Sequence, residues 1–145
     1  MFKTPSYILL VDDEEDFIEM LSLRLKESGE NVLAAYSGSQ CLEVLEKSEI
    51  DVIILDIKMP GMDGIETLQE IKKRHPLVEV IMLTGHGTIE TAIEGMKLGA
   101  FDFLLKPSDF DDLFEKVKNA RRRKHDQLDR IRKAEAAMLL RGAKI

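Results

Sequence analysis

Three carboxylates, a threonine and a lysine each follow a short apolar run. Asp12 and Asp13 come after Tyr7–Val11, Asp56 after residues 51–55, Thr84 after 78–83 and Lys106 after 101–105. Carboxylates gathered at one place repel one another, and removal from water sharpens the repulsion, so such a set calls for a cation. The donors are hard oxygens with no His or Cys among them, which suits Mg²⁺, with water and a phosphate completing its shell. Lys106 adds a mobile point charge on a long stem, and Thr84 adds a hydroxyl donor. Together these groups suit the charge that develops on the equatorial oxygens of a phosphoryl group in transfer. A carboxylate is then the nucleophile, and the product is an aspartyl phosphate. The adjacent pair Asp12-Asp13 is suited to holding metal. Asp56 stands alone before the turn-rich stretch Met59-Pro60-Gly61-Met62-Asp63-Gly64 and is the expected acceptor.

These residues can cooperate only if the chain brings the ends of its apolar runs together. A further run lies at Val32–Tyr36, and amphipathic stretches separate the runs. Phe17, Met20, Leu21 and Leu25 recur at helical spacing, as do Cys41, Leu42 and Leu45, then Ile65, Leu68 and Ile71, then Ile89, Ala92, Ile93 and Met96. Gly29, Pro76 and Gly99 stop three of these helices. Runs 7–11 and 51–55 hardly alternate and read as strands buried on both faces. The alternation predicts an α/β fold: a doubly wound, five-stranded parallel sheet with right-handed crossovers, order 2-1-3-4-5, flavodoxin-like. Strands 1 and 3 are neighbours at the switch point of that order, where ligands bind outside the carboxyl ends.

Composition bounds the alternatives. The chain has 145 residues, 44% of them hydrophobic, which suits one core rather than two. The single cysteine, Cys41, excludes an internal disulfide framework and a cysteine zinc site. No apolar run reaches the roughly 20 residues a spanning helix needs, and no signal peptide is recognised, so the expected compartment is the cytoplasm. Residues 121–145 carry a net charge of +6 and residues 1–120 a net charge of −12. The acidic body argues against nucleic acid as a direct ligand.

With these motifs in order at the strand ends, roughly over residues 6–118, the chain resembles the receiver domain of bacterial response regulators. The stretches Leu83-Thr84-Gly85-His86-Gly87 and Gly99-Ala100-Phe101-Asp102-Phe103 resemble receivers of the nitrogen-regulation type, which precede AAA+ domains. The resemblance implies that Asp56 is phosphorylated by a histidine kinase or phosphotransfer protein. It implies that Asp13 and Asp56 bind Mg²⁺ directly, with Asp12 acting through water and the Lys58 backbone carbonyl as a further ligand. Thr84 and Lys106 would contact the phosphoryl group, and Phe103 matches the aromatic switch position. The Lys106-Pro107 bond is often cis in such domains. Lys58 falls where the family varies and would tune hydrolysis. Such a protein is no conventional enzyme: it catalyses its own phosphorylation and slow dephosphorylation.

Each motif also has a plainer reading. Asp12-Asp13 could cap a helix, since Glu14 and Glu15 follow. Lys106 alone would be a surface lysine, Thr84 a turn residue, and Phe103 is balanced between core and switch. Arg121–Lys124 reads as a solvated helix face; His75, His86 and His125 read as lacking partners; Met59, Met62, Met82 and Met96 read as core filler. A phosphorylation-independent interaction module is the competing function, disfavoured by the intact acidic set with Lys106. A dehalogenase-type hydrolase would need a second Asp where Lys58 stands. The expected organisation is a receiver domain over residues 1–120 and a helical extension or linker over 121–145. No Gly or Pro interrupts 108–141, so one long helix is expected there, with a thin apolar stripe free to pair with a second copy or another partner.

Overall fold

The computed structural model describes residues 6–59, 61–85 and 87–142; Pro60 and His86, both named above, lie outside the described residues. Five strands alternate with five helices: β1 Tyr7–Val11, α1 Glu15–Glu27, β2 Val32–Ala35, α2 Gly38–Lys47, β3 Ile50–Leu55, α3 Gly64–Arg74, β4 Glu79–Thr84, α4 Ile89–Lys97, β5 Asp102–Leu105 and α5 Phe110–Gly142. The strands form one parallel sheet in the order β2-β1-β3-β4-β5. Its alternating side chains serve two cores. Leu9, Val11, Ile53, Leu55, Val80 and Met82 pack with α2 and α3, while Ile8, Leu10, Val52, Ile54, Ile81 and Leu83 pack with α1 and α5. Burial on both faces is why β1 and β3 read as continuous apolar runs.

Local chemistry sets the helix ends. Ser37, Asp63 and Thr88 accept hydrogen bonds from backbone amides of the first turns of α2, α3 and α4, satisfying donors that a helix start leaves unpaired. Gly29 and Gly99 follow α1 and α4 at φ of 91° and 104°, a left-handed conformation open to glycine at little cost.

Two expectations are corrected. The apolar positions of α4 do not face the core: Ile89 is 77% exposed, and Ile93 and Met96 are also exposed. The buried residue of this helix is Gly95, where a side chain would collide with Met82. A 3.6-residue period reports that one face is apolar but not that the sheet covers it, and close approach selected glycine instead. Met96 is therefore not core filler, whereas Met59 and Met82 are buried.

Arg121–Lys124 is only in part a solvated face: Arg122 and Arg123 are exposed, but Arg121 is half-buried and Lys124 buried. α5 runs unbroken for 33 residues and buries Leu113, Val117, Ala120 and Lys124. Lys124 pairs with Asp51, Arg121 with Glu30 and Arg123 with Glu79. His125 lies 3.3 Å from Asp51 and His75 3.4 Å from Glu46, ion pairs only when the imidazole is protonated, and the buried His75 Nε2 makes no hydrogen bond among the described residues. Farther along, Ile131, Met138, Leu139 and Leu140 are exposed.

These contrasts predict the cost of truncation. Ile71→Ala, at a fully buried position, should cost about 2–5 kcal/mol in urea unfolding. Ile89→Ala should change stability by no more than about 0.5 kcal/mol.

Candidate functional site

The pairing of β1 with β3 brings the carboxylates together. Val11 registers with Leu55, and the Asp56 amide donates to the Val11 carbonyl at 2.9 Å, so Asp12 and Asp56 leave the sheet side by side. One ligand atom from each of Asp12, Asp13 and Asp56 lies within 4.8 Å of the others. Asp12 and Asp56 are buried and Asp13 is exposed, so the cluster reaches solvent on one side. Leu10, Ile18, Leu21, Ile54 and Leu83 make an apolar floor beneath Asp12 and Asp56.

Lys106 arrives from the far side of the sheet. Its amide donates to the Thr84 carbonyl at 2.8 Å, tying the ends of β4 and β5. Its ammonium lies 2.6 Å from Asp12 Oδ2 and 3.2 Å from Glu14 Oε1, and 4.1 Å from the centre of the Phe17 ring. Burial alone would pull this ammonium's pKa down. The hydrogen bond to Asp12, the charges of Asp12 and Asp56 and the hydrogen bond to Glu14 outweigh that and hold it above the ordinary lysine value. Asp12 moves upward as well. Burial is the larger influence and Asp56 adds repulsion, while Lys106 and the Glu14 amide offset them only in part. The pair is thus well hydrogen-bonded without fully relieving the carboxylate crowding.

The two buried carboxylates are unequally satisfied. Asp12 accepts from Lys106 through Oδ2 and from the Glu14 amide, 2.9 Å away, through Oδ1. The plainer reading of Asp12-Asp13 as a helix cap does not hold: the N-cap of α1 is Glu14, and no side chain caps the first turn among the described residues. Asp56 Oδ1 is buried without a hydrogen-bond partner among the described residues. An unpaired buried acceptor costs about 1–3 kcal/mol. A bare carboxylate oxygen beside two further carboxylates fits a hard divalent cation, and no softer donor intrudes.

Thr84 is fully buried at the end of β4 and registers with Leu105, while Met82 registers with Phe103. Phe103 is half-buried and packs against the α2/α3 core, and its ring lies over Gly87, where a Cβ would overlap it. Lys58 is exposed, two residues past Asp56. The Lys106-Pro107 bond is cis. Glu14 and Phe17, which hold Lys106, were not singled out from the sequence for this part. Their three-residue spacing at the start of the helix after Asp12-Asp13 is the signal that points to them. Gly64 also went unremarked as a site residue. Its amide donates to the Ile57 carbonyl at 2.6 Å, and a Cβ there would strike the Asp56 and Ile57 backbone.

The chain belongs to the response regulator receiver domain family, whose profile matches residues 8–118. It is 44% identical over 115 residues to a putative response regulator NtrX-like protein of Rickettsia bellii, covering 78% of this chain and 24% of that protein. It is 40% identical over 120 residues to the transcriptional regulatory protein GlrR of Escherichia coli, covering 83% of this chain and 27% of that one. The chain thus spans about a quarter of the length of these relatives. The receiver domain of NtrX from Brucella abortus superposes with a TM-score of 0.75 at 36% identity, covering 79% of this chain and 98% of that one. A receiver domain from Clostridium thermocellum gives 0.78 at 41% identity, covering 84% and 98%. The likeness to receivers of the NtrX type agrees with the nitrogen-regulation flavour read from the sequence. This is a response regulator receiver domain.

The contact at Gly64 is testable. Gly64→Ala should destabilise by about 1–3 kcal/mol in urea unfolding, because backbone on both sides must shift. Gly142→Ala, whose Cβ meets nothing, should stay within about 0.5 kcal/mol.

Proposed function

We propose that Asp56 is the phosphoryl acceptor of this receiver and that Mg²⁺ is its cofactor. The observation that carries the reading is the buried Asp56 carboxylate: one oxygen has no partner among the described residues, and Asp12 and Asp13 oxygens lie within 4.8 Å. Asp13 and Asp56 would hold the ion directly, with Asp12 through water and the Lys58 carbonyl completing the protein's share. When bound, Mg²⁺ offsets the crowded carboxylates and the charge on the phosphoryl oxygens.

The chemistry is then a displacement at phosphorus. A carboxylate oxygen of Asp56 forms the new P–O bond as the bond from phosphorus to the donor's imidazole nitrogen breaks, and the departing nitrogen keeps the electron pair. Lys106 swings from Asp12 to a phosphoryl oxygen, and Thr84 donates its hydroxyl to another. Hydrolysis later returns the carboxylate, with Lys58 at the rim tuning its rate. The protein acts only on itself in this cycle.

Thr84 and Phe103 form the switch. Drawing Thr84 toward the phosphoryl group vacates space that the Phe103 ring fills, which reshapes the surface of α4, β5 and α5. That surface already exposes Ile89, Ile93, Met96 and Leu105. The receiver unit spans residues 1–120, and 121–145 extends it toward a second copy, making a homodimer through α5 and the tail. No described helix is long and apolar enough to cross a membrane, and we assign the protein to the cytoplasm. Direct nucleic-acid binding is not part of this reading, since the body is acidic.

Incubation with acetyl phosphate and Mg²⁺ should add one phosphoryl group by intact mass, and Asp56→Asn should abolish it. Undiminished labelling of that variant would remove Asp56 from the reaction. Mg²⁺ alone should raise the melting temperature by mass action, and Asp13→Ala should lose most of the rise.

The switch has its own test. Beryllofluoride should change the dimerisation constant measured by sedimentation, and truncation after Arg121 should weaken the dimer. Identical association in all four cases would separate the tail from switching.

A further inference from the structure

The pole of the sheet opposite Asp56 carries a second concentration of charge. Asp51 near the start of β3, Glu79 at the start of β4 and Lys124 of α5 are all buried, at 2–4% exposure. The Lys124 ammonium donates to Asp51 Oδ1 at 2.8 Å, the Ile50 carbonyl at 3.0 Å and Glu49 Oε1 at 3.2 Å. Asp51 Oδ2 accepts the Ser6 hydroxyl at 2.7 Å and lies 3.3 Å from His125 Nε2.

One residue earlier, the guanidinium of Arg123 grips Glu79 through Nε and Nη2 and lies 4.6 Å from the centre of the Phe101 ring, just ahead of β5. Lys72 approaches the same Glu79 at 3.4 Å. Arg121 grips both oxygens of Glu30, in the loop before β2.

Every ion pair on this turn of α5 joins a basic residue of the helix to an acid of the body. Buried ions are tolerated only in pairs, so removing either partner strands the other. Apolar packing of α5 ends at Ala120, and beyond that point the apolar stripe meets no sheet. In proteins most helical stability comes from tertiary packing rather than from propensity. The turn at 121–125 is nevertheless anchored in three directions at once: to β3, to β4 with the approach to β5, and to the loop before β2. β3 and β4 are also the strands whose far ends carry Asp56 and Thr84.

We propose that Arg121, Arg123 and Lys124, with Glu30, Glu79 and Asp51, form an electrostatic joint that fixes the direction in which residues 125–142 leave the domain. The joint makes the tail a rigid extension of the sheet rather than a flexible tether. A second copy or a following segment attached to the tail is thereby held at a set orientation to the body. This inference does not depend on phosphorylation of Asp56, and its test requires none.

The experiment places nitroxide labels at Gln69→Cys on α3 and Lys133→Cys on the tail of the full chain, diluted with unlabelled protein so that one molecule's own distance is read. Cys41 stays silent, because it is buried and its thiol is pushed up to about 12 by desolvation. The parent chain should give one narrow distance distribution, and Lys124→Arg should preserve it. Arg123→Gln, which alters a side chain that is 47% exposed and leaves Glu79 its pairing with Lys72, should at least double its width. Lys124→Met should do the same and raise amide exchange over 121–130 at least tenfold. A label pair within the body, at Gln69→Cys and Glu27→Cys, must stay narrow in each variant. Widths unchanged in both Arg123→Gln and Lys124→Met, or a broad distribution in the parent chain, would overturn the joint.

Discussion

Crowding of carboxylates at the carboxyl ends of two neighbouring parallel strands is the constraint around which this domain is arranged. Asp12 and Asp56 sit side by side because Val11 and Leu55 are in register, and both are buried. Repulsion and desolvation each oppose this arrangement. Lys106 relieves part of it and is itself steadied by Glu14 and the Phe17 ring. The relief is incomplete by design of the hydrogen bonds: Asp12 is served twice, and Asp56 keeps a bare oxygen. A site left short of positive charge in this way suits a cation.

The parallel sheet explains why so few residues suffice. All strands point the same way, so all carboxyl ends meet at one pole and all amino ends at the other. Acid, hydroxyl and amine groups from four parts of the chain converge at the first pole without any long loop to carry them. The second pole inherits the opposite problem. Asp51 and Glu79 are held where water is scarce, and α5, running back across the sheet, arrives there with Lys124 and Arg123. Burial would raise Asp51, yet hydrogen bonds from Lys124 and Ser6 leave its pKa below the ordinary carboxylate value, as expected of an acid whose charge is well complemented. One pole is left electrostatically open, and the other is closed.

The sheet edge shows how burial and exposure are distributed between these poles. α4 approaches β4 closely at Gly95, against Met82, and turns Ile89, Ile93 and Met96 outward beside the exposed Leu105. Thr84 and Phe103 lie at the inner margin of the same region, with the Phe103 ring over Gly87. Glycine at each of these contacts lets the opposing side chain lie directly against the backbone, where a Cβ would collide with it.

Much of this was written in local pattern. Apolar runs, helical spacing and the stops at Gly29, Pro76 and Gly99 determined the element order. Alternation of strand and helix then determined a parallel sheet, because each crossover must cover a face. Asp12, Asp13, Asp56, Thr84 and Lys106 were legible because each follows a strand, and a parallel strand can end only at the common pole. Tertiary structure alone decided what depends on neighbours far apart in the chain. A period of 3.6 names an apolar face without naming its cover, so the outward turn of α4 could not be read from Ile89, Ile93 and Met96. A run of basic residues looks solvated until the acids that receive it are known. Glu30, Asp51 and Glu79 stand between 44 and 91 positions away from Arg121, Lys124 and Arg123. Ion pairing acts through space, and that distance closes only when the helix lies back across the sheet.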